Sequence, residues 1–481
     1  MTELNNILNL ENEDIEKLNE IFINLPYSCG TTTAASEIKN NFIDYENKNV
    51  AIAGRVIAIR KSGKLIFMDV QDLSGKIQAY FDFNILNEKF NALKSFNSGD
   101  IIYVSGIVFK TNPGEISIKV NDYELLAKAI RTIPNKWKGL VDIEIRYRKR
   151  YLDLIMNKES RDIFIARSRI ISEIRSFLNQ KGFLEFETPA LQPFYGGADA
   201  EPFKIFVNTL NEENYLRISN ELYLKRLIIG GMEKVFEIYK AFRNEDIDVT
   251  HSPEFTMIEL YQAYSDYNIM MKITEELITD VANKLFSSNS FFYHNTKIDI
   301  KFNKINFVDS VNKKLGIDLL TEPDENLLSL LERENVHIPK NKLYRGHLYE
   351  KIFETFIQKD LIQPTFVMDF PKETSFLCRQ KRDDPKLAER FELYIYGIEI
   401  ANAYSELNNP IIQRKNFEQE IKINNNQDID MEFIEAMEYG MPPTGGLGLG
   451  IDRLVMLLTN VESIKDVILF PMEKKLNKKI S

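Results

Sequence analysis

The sequence predicts an α+β fold, in which a small five-stranded β-barrel precedes a larger domain built on an antiparallel sheet. Two observations support this prediction. Five short alternating runs, separated by glycine-containing turns, lie between residues 49 and 126. From Ser160 onward, helical stripes and strands are mixed without the regular strand–helix alternation of a parallel sheet.

The barrel segment has the two-residue period of half-buried strands. Its five runs are VAIAGRVIAIR, LIFMDVQD, KIQAYFD, DIIYVSGIVFK and EISIKVNDYELL. The turn signals between them are Ser62-Gly63, Ser74-Gly75, Ser98-Gly99 and Pro113-Gly114. Five strands in about eighty residues fit an OB-fold barrel, although a small β-sandwich has the same pattern.

The pattern of predicted secondary structure changes at three points along the chain. We divide it into an N-terminal helical extension, a barrel, a linker and a large second domain: 1–45, 46–130, 131–160 and 161–481. The second domain contains a mainly helical insertion near 266–360. An apolar stripe from Ile170 to Leu178 predicts a helix that stops at Gly182.

Composition excludes several classes of protein. Hydrophobic residues make up 44% and charged residues 27% of the 481 residues, which is ordinary for a globular protein. No apolar run reaches the length of a transmembrane helix, and the acidic N-terminus does not resemble a signal peptide. A net charge of −10 argues against a protein coated with nucleic acid. Cys29 and Cys378 lack metal-ligand spacing, so we expect reduced thiols, no zinc site and a cytoplasmic location.

Residues 234–264 are interpreted as two strands joined by the polar loop Asp246–Pro253. Strand alternation groups six side chains on one surface, the first two on the first strand: Arg243, Glu245, Phe255, Met257, Glu259 and Tyr261. A guanidinium suits phosphate, and an aromatic ring can stack on a nucleobase. We favour a ligand site over an exposed hairpin face, because the latter would leave Phe255 and Tyr261 in contact with water.

Residues 389–406 contain a second pattern. Tyr396-Gly397 can form a tight hairpin turn, which places Tyr394 opposite Glu399 and makes Glu392 its diagonal neighbour on the same face. Two carboxylates so placed can share Mg²⁺ that also contacts substrate phosphates. A surface pair balanced by lysines is the alternative, and the pattern alone favours neither.

A glycine-rich strand near residue 445 leads into an apolar helix whose first turn carries Arg453. The spacing of a dinucleotide-binding GxGxxG motif is absent. Glycines in this strand allow a ligand to approach the backbone closely.

Together these patterns resemble motifs 2 and 3 of the class II aminoacyl-tRNA synthetases. FRNE, HSPEFT, ELYQAY, NAYSELNNP and MPPTGGLGLGIDRL are similar to the lysine-specific members, the lysyl-tRNA synthetases. KGFLEFETP resembles motif 1, the dimer-interface element. The resemblance runs from about residue 50 to 472 and includes RYRKRYLDL in the linker.

The resemblance implies ATP as co-substrate, lysine and tRNA as partners, and a homodimer formed through motif 1. It assigns the α-phosphate to Arg243, adenine to Glu245 and Phe255, distal phosphates to His251 and Arg453, and Mg²⁺ to Glu392 and Glu399. Glu392 would also contact ATP. Arg243 and Arg453 would be the catalytic residues, because positioning and charge neutralisation are what this phosphoryl chemistry requires.

The implied lysine pocket is acidic and phenolic. It comprises Gly197, Glu221, Glu259, Tyr261, Asn402, Tyr404 and Glu406. Glu221 would hold the α-amino group, while Glu259 and Glu406 would flank the side chain. A buried ammonium requires charged and hydrogen-bonded partners, whereas a pocket for aspartate would require a basic residue.

The family roles conflict with strict strand alternation. Alternation from Glu399 turns Asn402, Tyr404 and Glu406 to the opposite face, away from the metal ligands. A β-bulge within 400–402 would return them to the face of Glu399, so we predict one there.

The resemblance makes the barrel an anticodon-binding domain. Phe67 would stack on an anticodon base, with Arg60 and Gln78 in contact with it. From the strand pattern alone, Phe67 is a barrel core residue. Glu201 and Ser252 depart from the family's usual basic residue and asparagine.

Three other functions remain open at this stage. They are an aspartyl- or asparaginyl-tRNA synthetase, a paralogue that attaches lysine to a protein, and a non-catalytic RNA-binding module. The acidic pocket, the intact barrel and the joint presence of Arg243, Arg453, Glu392 and Glu399 argue against each in turn.

Overall fold

The structure, a computed structural model, describes residues 12–131, 133–134, 140–339, 343–424 and 430–475. Residues 1–11 of the predicted N-terminal extension and residues 132 and 135–139 of the predicted linker lie outside this set. The chain divides into two compact units, Met1–Lys138 and Gly139–Ser481. In the described residues, no helix is both long enough and apolar enough to cross a membrane.

The first unit is a closed β-barrel preceded by short helices. The helices are α1 Asn12–Ile23, α2 Ala35–Asn40 and α3 Phe42–Tyr45. The strands are β1 Asn49–Ser62, β2 Leu65–Gln71, β3 Lys76–Asp82, β4 Ile101–Lys110 and β5 Ile116–Ala127, with α4 Phe83–Leu86 and the 3₁₀ segment Asn87–Ser95 between β3 and β4. The strand order β1-β2-β3-β5-β4 closes on itself. The predicted OB-type barrel is therefore confirmed, and a sandwich is excluded.

Alternation along the barrel strands separates a buried side from an outer side. In β2, Ile66, Met68 and Val70 are buried in the core, while Phe67 and Asp69 are not. Burial of each aliphatic side chain of this kind stabilises the fold by about 1.5–3 kcal/mol relative to leaving it exposed. The interpretation of Phe67 as a core residue was wrong, because its neighbours in the strand occupy the core-facing positions.

The second unit is built around an eight-stranded sheet. Its strands are β6 Leu184–Glu185, β7 Leu191–Gln192, β8 Lys204–Val207, β9 Glu212–Leu216, β10 Lys234–Phe242, β11 Glu254–Ala263, β12 Ser290–Tyr293, β13 Thr296–Asp299, β14 Asn303–Asn306, β15 Thr365–Pro371, β16 Leu387–Ile395, β17 Ile398–Ser405 and β18 Thr444–Gly450. The large sheet has the order β14-β15-β16-β17-β18-β11-β10-β6. Only its outer pairs, β14–β15 and β10–β6, are parallel. The predicted antiparallel sheet is confirmed.

Helices complete this unit. They are α5 Ile143–Arg148, α6 Arg150–Met156, α7 Lys158–Gln180, α8 Glu221–Ile229, α9 Tyr267–Phe286, α10 Phe307–Leu315, α11 Asp324–Arg333, α12 Arg345–Phe356, α13 Pro410–Asn424, α14 Met431–Glu438, α15 Ile451–Thr459 and α16 Ile464–Val467. Apolar residues of α7, α9 and α15 bury one face of the sheet, where Ile258 and Leu260 of β11 point. Alternation then turns Met257, Glu259 and Tyr261 toward the other face.

Two predicted boundaries differ from the structure. The proposed end of the linker at residue 160 falls inside α7, because the helix begins at Lys158, twelve residues before the apolar stripe that predicted it. The region 266–360 contains the strands β12, β13 and β14 as well as helices, and β14 pairs with β15 in the large sheet. This region is therefore partly built into the central sheet, and the polar sequence Asn303–Asn306 gave no strand signal.

Candidate active site

A trough runs along the middle of one sheet face, over the glycines Gly446 and Gly448 of β18 and between side chains of β11 and β17. Two rows of paired residues run across β11, β18 and β17. One row is Glu259, Gly448 and Asn402, and the next is Tyr261, Gly446 and Tyr404. A Cβ at Gly446 would overlap Glu406 Oε1 and the ring of Tyr261. Glycine at 446 therefore lets Glu406 and Tyr261 lie directly against the backbone of β18, between a polar wall on β11 and one on β17.

The hairpin of β16 and β17 supplies the second wall. Tyr396 and Gly397 form its two-residue turn, both with positive φ, and Tyr394 lies opposite Glu399 as predicted. The register then shifts, because Leu393 pairs with Ala401 and leaves Ile400 unpaired. The predicted β-bulge is confirmed at this residue.

The bulge changes which side chains share a face. Beyond it, Glu392 lies opposite Asn402, and Arg390 lies opposite Tyr404. The proposed metal ligands and the proposed lysine contacts on this hairpin therefore face the same trough.

Arg243 and Glu245 do not lie on a strand, which corrects the predicted position. Strand β10 ends at Phe242, because the amide of Asn244 donates to the carbonyl of Glu201 at 2.8 Å and leads the chain away from the sheet. The loop is thus Arg243–Pro253. Glu245 Oε1 accepts a hydrogen bond from the amide of Glu201 at 3.3 Å.

Arg243 remains beside Phe255 despite this change. Its guanidinium carbon lies 5.2 Å from the centre of the Phe255 ring. Its Nε is buried and has no hydrogen-bond partner among the described residues. A buried donor without an acceptor is costly, so this atom is available to an anionic ligand.

His251, Arg453 and Glu399 form a chain of contacts at one end of the trough. Arg453 Nη1 lies 3.2 Å from Glu399 Oε2, and its Nη2 lies 3.2 Å from His251 Nε2. His251 Nδ1 lies 2.8 Å from Asp248 Oδ2. These contacts fit the tautomer in which Nδ1 donates to Asp248 and Nε2 accepts from Arg453.

Glu392 lies in a buried network. Its Oε1 accepts from Arg390 Nη2 at 2.5 Å, and its Oε2 accepts from the hydroxyl of Tyr394. Burial raises the pKa of Glu392, the positive charge of Arg390 opposes this, and the nearby Glu399 carboxylate adds to the increase. A further cation bound to Glu392 would offset the cost of burying its charge and would reduce its repulsion with Glu399.

Glu259 is a buried carboxylate of the pocket and is held by hydroxyl groups. Ser219 Oγ donates to it at 2.9 Å, Tyr261 OH donates at 3.0 Å, and the hydroxyl of Tyr239 donates as well. Burial, followed by the negative charge of Glu221, raises the pKa of Glu259 to about 7.

Glu221 and Glu406 come together from different elements. Glu221 begins α8, and Glu406 follows β17, yet both contact Lys225 Nζ at 2.5 Å. Gly197 has a φ of +82°, and a Cβ there would lie 2.9 Å from the Cβ of Glu221. Glycine at this position therefore brings the 197 loop against the pocket.

The amide of Asn402 contributes a second unsatisfied atom. Its Nδ2 donates to Tyr404 OH at 3.0 Å, while its buried Oδ1 has no partner in the described residues. The Tyr404 ring lies 5.6 Å from the guanidinium carbon of Arg390.

Four residues of the site were not identified from the sequence. They are Lys225, Arg390, Ser219 and Tyr239. Two had a readable signal, because Lys225 lies one helical turn after Glu221, and Arg390 shares the strand face of Glu392. Ser219 and Tyr239 lacked such a signal.

The three residues proposed for RNA contact share the outer side of the barrel. Arg60 pairs with Phe67 across β1 and β2, and Asp69 pairs with Gln78 across β2 and β3. Arg60 Nη2 lies 2.8 Å from Asp69 Oδ1. The Phe67 ring lies 5.3 Å from that of Tyr80, so a half-buried aromatic surface lies beside a cation.

Comparisons with known proteins agree with this geometry. A family model described as tRNA synthetases class II (D, K and N) matches residues 142–474, and one described as an OB-fold nucleic acid binding domain matches 50–126. Among similar proteins, one from Clostridium tetani is 47% identical over 454 residues, covering 92% of this chain and 90% of its own. Another from Carboxydothermus hydrogenoformans is 47% identical over 481 residues, covering 98% of each. A third from Thermoanaerobacter pseudethanolicus is 44% identical over 487 residues, covering 99% of this chain and 97% of its own.

All three relatives carry the name Lysine--tRNA ligase. The family match extends across the trough, the Arg243 loop and the hairpin with its bulge, and the similarity to each relative covers at least nine-tenths of the chain. The chain therefore belongs to the class II tRNA synthetases of the D, K and N group.

Proposed function

We propose that this chain activates lysine with ATP and transfers it to the 3′ end of a lysine tRNA. The observation that carries the proposal is the buried pocket in which Glu221, Glu259 and Glu406 converge over Gly446 and Gly448. Near-complete similarity to relatives named Lysine--tRNA ligase supports the same substrate.

The chemistry of the pocket favours lysine over aspartate and asparagine. Glu259 and Glu406 are buried carboxylates, and an ammonium group placed between them would form charge-assisted hydrogen bonds. A carboxylate or an amide in that place would leave Glu259 without a charged partner and Glu406 with Lys225 alone. Selection then comes from the cost of desolvating charges without partners.

Activation requires no nucleophile from the protein. An oxygen of the lysine carboxylate attacks the α-phosphorus of ATP, the bond to the bridging oxygen breaks, and pyrophosphate leaves with the electron pair. Arg243, with its unpartnered Nε, neutralises charge at the α-phosphate while Phe255 stacks on adenine, whose edge contacts Glu245. Arg453 and His251 bind the distal phosphates. Catalysis is thus positioning and electrostatic stabilisation.

The residues present fit a magnesium ion bound together with ATP. Among the described residues, no group of three or more His, Cys, Asp or Glu side chains is placed to hold a metal ion alone. Mg²⁺ in nucleotide sites commonly takes one or two carboxylates and completes its shell with phosphates and water. Glu392 and Glu399 would supply those carboxylates, and the ion would neutralise charge on the phosphates.

The barrel is proposed to read the anticodon. Phe67 would stack on an unpaired base, while Arg60 and Gln78 contact its edge. Arg60 is already oriented by Asp69, which limits the entropy lost when RNA binds.

A homodimer and a cytoplasmic location complete the proposal. The motif 1 segment exposes Leu184, and Leu191 shortly after it is exposed as well; their exposed fractions are 56% and 54%. Apolar side chains of this size on short strands are suited to burial against a second copy of the chain.

Charging of tRNA tests the complete proposal. Transcripts with lysine, asparagine and aspartate anticodons are each incubated with ATP and each of the three amino acids. We expect charging only when lysine is combined with the lysine transcript. Charging with aspartate or asparagine would overturn the substrate assignment, and charging of protein in place of tRNA would overturn the acceptor assignment.

A further inference from the structure

One buried lysine lies between two of the three pocket carboxylates. Lys225 lies on α8 with no exposed surface, and its Nζ is 2.5 Å from both Glu221 Oε1 and Glu406 Oε2. The Tyr261 ring centre lies 6.0 Å from the same nitrogen. The side chain therefore reaches the pocket from within the protein.

Lys225 carries its charge despite complete burial. Burial lowers the pKa of Lys225, but the negative charges of Glu221 and then Glu406 more than offset this and raise it above its usual value. A buried ammonium with two carboxylate partners holds both of them in place, because breaking either contact leaves an uncompensated charge.

The third carboxylate has a different environment. Glu259 accepts hydrogen bonds from hydroxyl groups of Ser219, Tyr239 and Tyr261. Within the described residues it has no Lys, Arg or His within ion-pair distance, in contrast to Glu221 and Glu406. Lys225 thus compensates one of three possible negative charges and leaves two.

We propose that Lys225 is a positioning residue that sets the charge and geometry of the amino-acid pocket, so that two uncompensated carboxylate charges meet the two ammonium groups of the substrate. This inference rests on the proposed function, because it takes free lysine as the ligand. With Lys225 absent, three acids would face two ammonium groups, and Glu221 and Glu406 would repel each other.

The charge role can be separated from a packing role by pH. Lys225→Met and Lys225→Gln both remove the charge, and the second keeps a hydrogen-bond donor for the carboxylates. Burial raises the pKa of Glu406 and the charge of Lys225 opposes this, so removal of the cation raises that pKa further, by about one unit or more. The lysine KM should therefore reach its low plateau at a pH about one unit higher than in the unmodified protein. Tyr261 and Cys378 also face Glu406, and Tyr404 interacts with Glu221, but burial raises the pKa of each, so all three stay protonated over this range. Glu420, whose pKa burial raises to about 7, also interacts with Glu221, but it is present in every variant compared.

The experiment is lysine-dependent ATP–pyrophosphate exchange by the full chain, measured from about pH 6 to 8.5, the range in which raised carboxylate pKa values titrate. For Lys225→Met and Lys225→Gln we expect a lysine KM about tenfold or more above that of the unmodified protein near pH 7, with the ATP KM within about threefold, and the shifted pH midpoint. Lys225→Arg keeps the charge and should keep the midpoint. Lys272→Met removes a lysine whose side chain is 76% exposed, and should behave as the unmodified protein.

Three results would overturn the inference. They are an unchanged midpoint in both charge-removing variants, an equal midpoint shift in Lys225→Arg, and loss of kcat without a change in lysine KM. Absence of lysine-dependent exchange in the unmodified protein would contradict the proposed function instead, so the two failures are distinguishable.

Discussion

Glu392 and Asn402 lie directly opposite each other on β16 and β17, because the unpaired residue Ile400 shifts the pairing of the two strands by one residue. One extra residue thus brings a proposed magnesium ligand and a proposed lysine contact to the same side of the sheet. Without it, the residues after Glu399 would face the apolar helices on the other side.

Glu406→Gln should impair lysine binding far more than ATP binding. The carboxylate is 1% exposed, and loss of one partner from a buried charge pair costs roughly 3–5 kcal/mol. We expect the lysine KM to rise by about a hundredfold or more, with a nearly unchanged ATP KM, in pyrophosphate exchange. The matched control Glu325→Gln changes an exposed glutamate on α11 and should have no effect. A lysine KM within about twofold of the unmodified protein would refute the role of Glu406.

Lysine affinity should increase with pH up to neutrality. Burial and Glu221 raise the pKa of Glu259 to about 7, so the free pocket loses a negative charge as the pH falls below that value. An ammonium ligand favours the ionised acid, so lysine binding releases a proton near neutral pH. The lysine KM should rise by up to about tenfold per unit below pH 7 and change less steeply above it, where Glu406, whose pKa burial also raises, still titrates.

Two variants identify the group responsible for this pH dependence. Glu259→Gln should bind lysine weakly and lose most of the increase in lysine KM below pH 7. Glu420→Gln removes another carboxyl group whose pKa burial raises to about 7, but this group interacts with Glu221 and not with Glu259, so the profile should change far less. A flat profile in Glu420→Gln with a normal profile in Glu259→Gln would contradict the assignment.

Phe67→Ala should weaken tRNA binding and leave pyrophosphate exchange intact. Loss of one base–aromatic stack removes about 1–3 kcal/mol of RNA binding. The melting temperature should change little, because Phe67 lies on the outer side of the barrel. Phe81→Ala, by contrast, removes a core ring and should lower the free energy of unfolding by about 3–5 kcal/mol. Normal tRNA affinity in a destabilised Phe67→Ala variant would contradict the RNA role.

Local patterns were sufficient to predict the barrel, the antiparallel sheet and the turn at Tyr396-Gly397. Period-two alternation and a two-residue turn depend only on neighbours in the chain. The bulge at Ile400 was predictable only when the resemblance required Glu399 and Asn402 to share one site. Strand alternation by itself places Asn402, Tyr404 and Glu406 on the wrong face of the sheet.

Residues whose positions depend on distant segments were harder to place. Arg243 was assigned to a strand, yet a hydrogen bond from Asn244 to Glu201 ends that strand one residue earlier. Phe67 is an apolar residue of the kind typical of a protein core. Only the pairing register of the barrel strands shows that its side chain faces outward. Lys225 contacts Glu406 across 181 positions of sequence, a pairing that no local pattern contains.

The most direct test of the acidic pocket is the amino-acid dependence of ATP–pyrophosphate exchange without tRNA. Each of the twenty amino acids is supplied in turn with ATP, Mg²⁺ and labelled pyrophosphate. The convergence of Glu221, Glu259 and Glu406 predicts exchange with lysine, and rates at least about a hundredfold lower with aspartate and asparagine, which would leave Glu259 without a charged partner. Exchange driven by aspartate or asparagine as efficiently as by lysine would contradict the account.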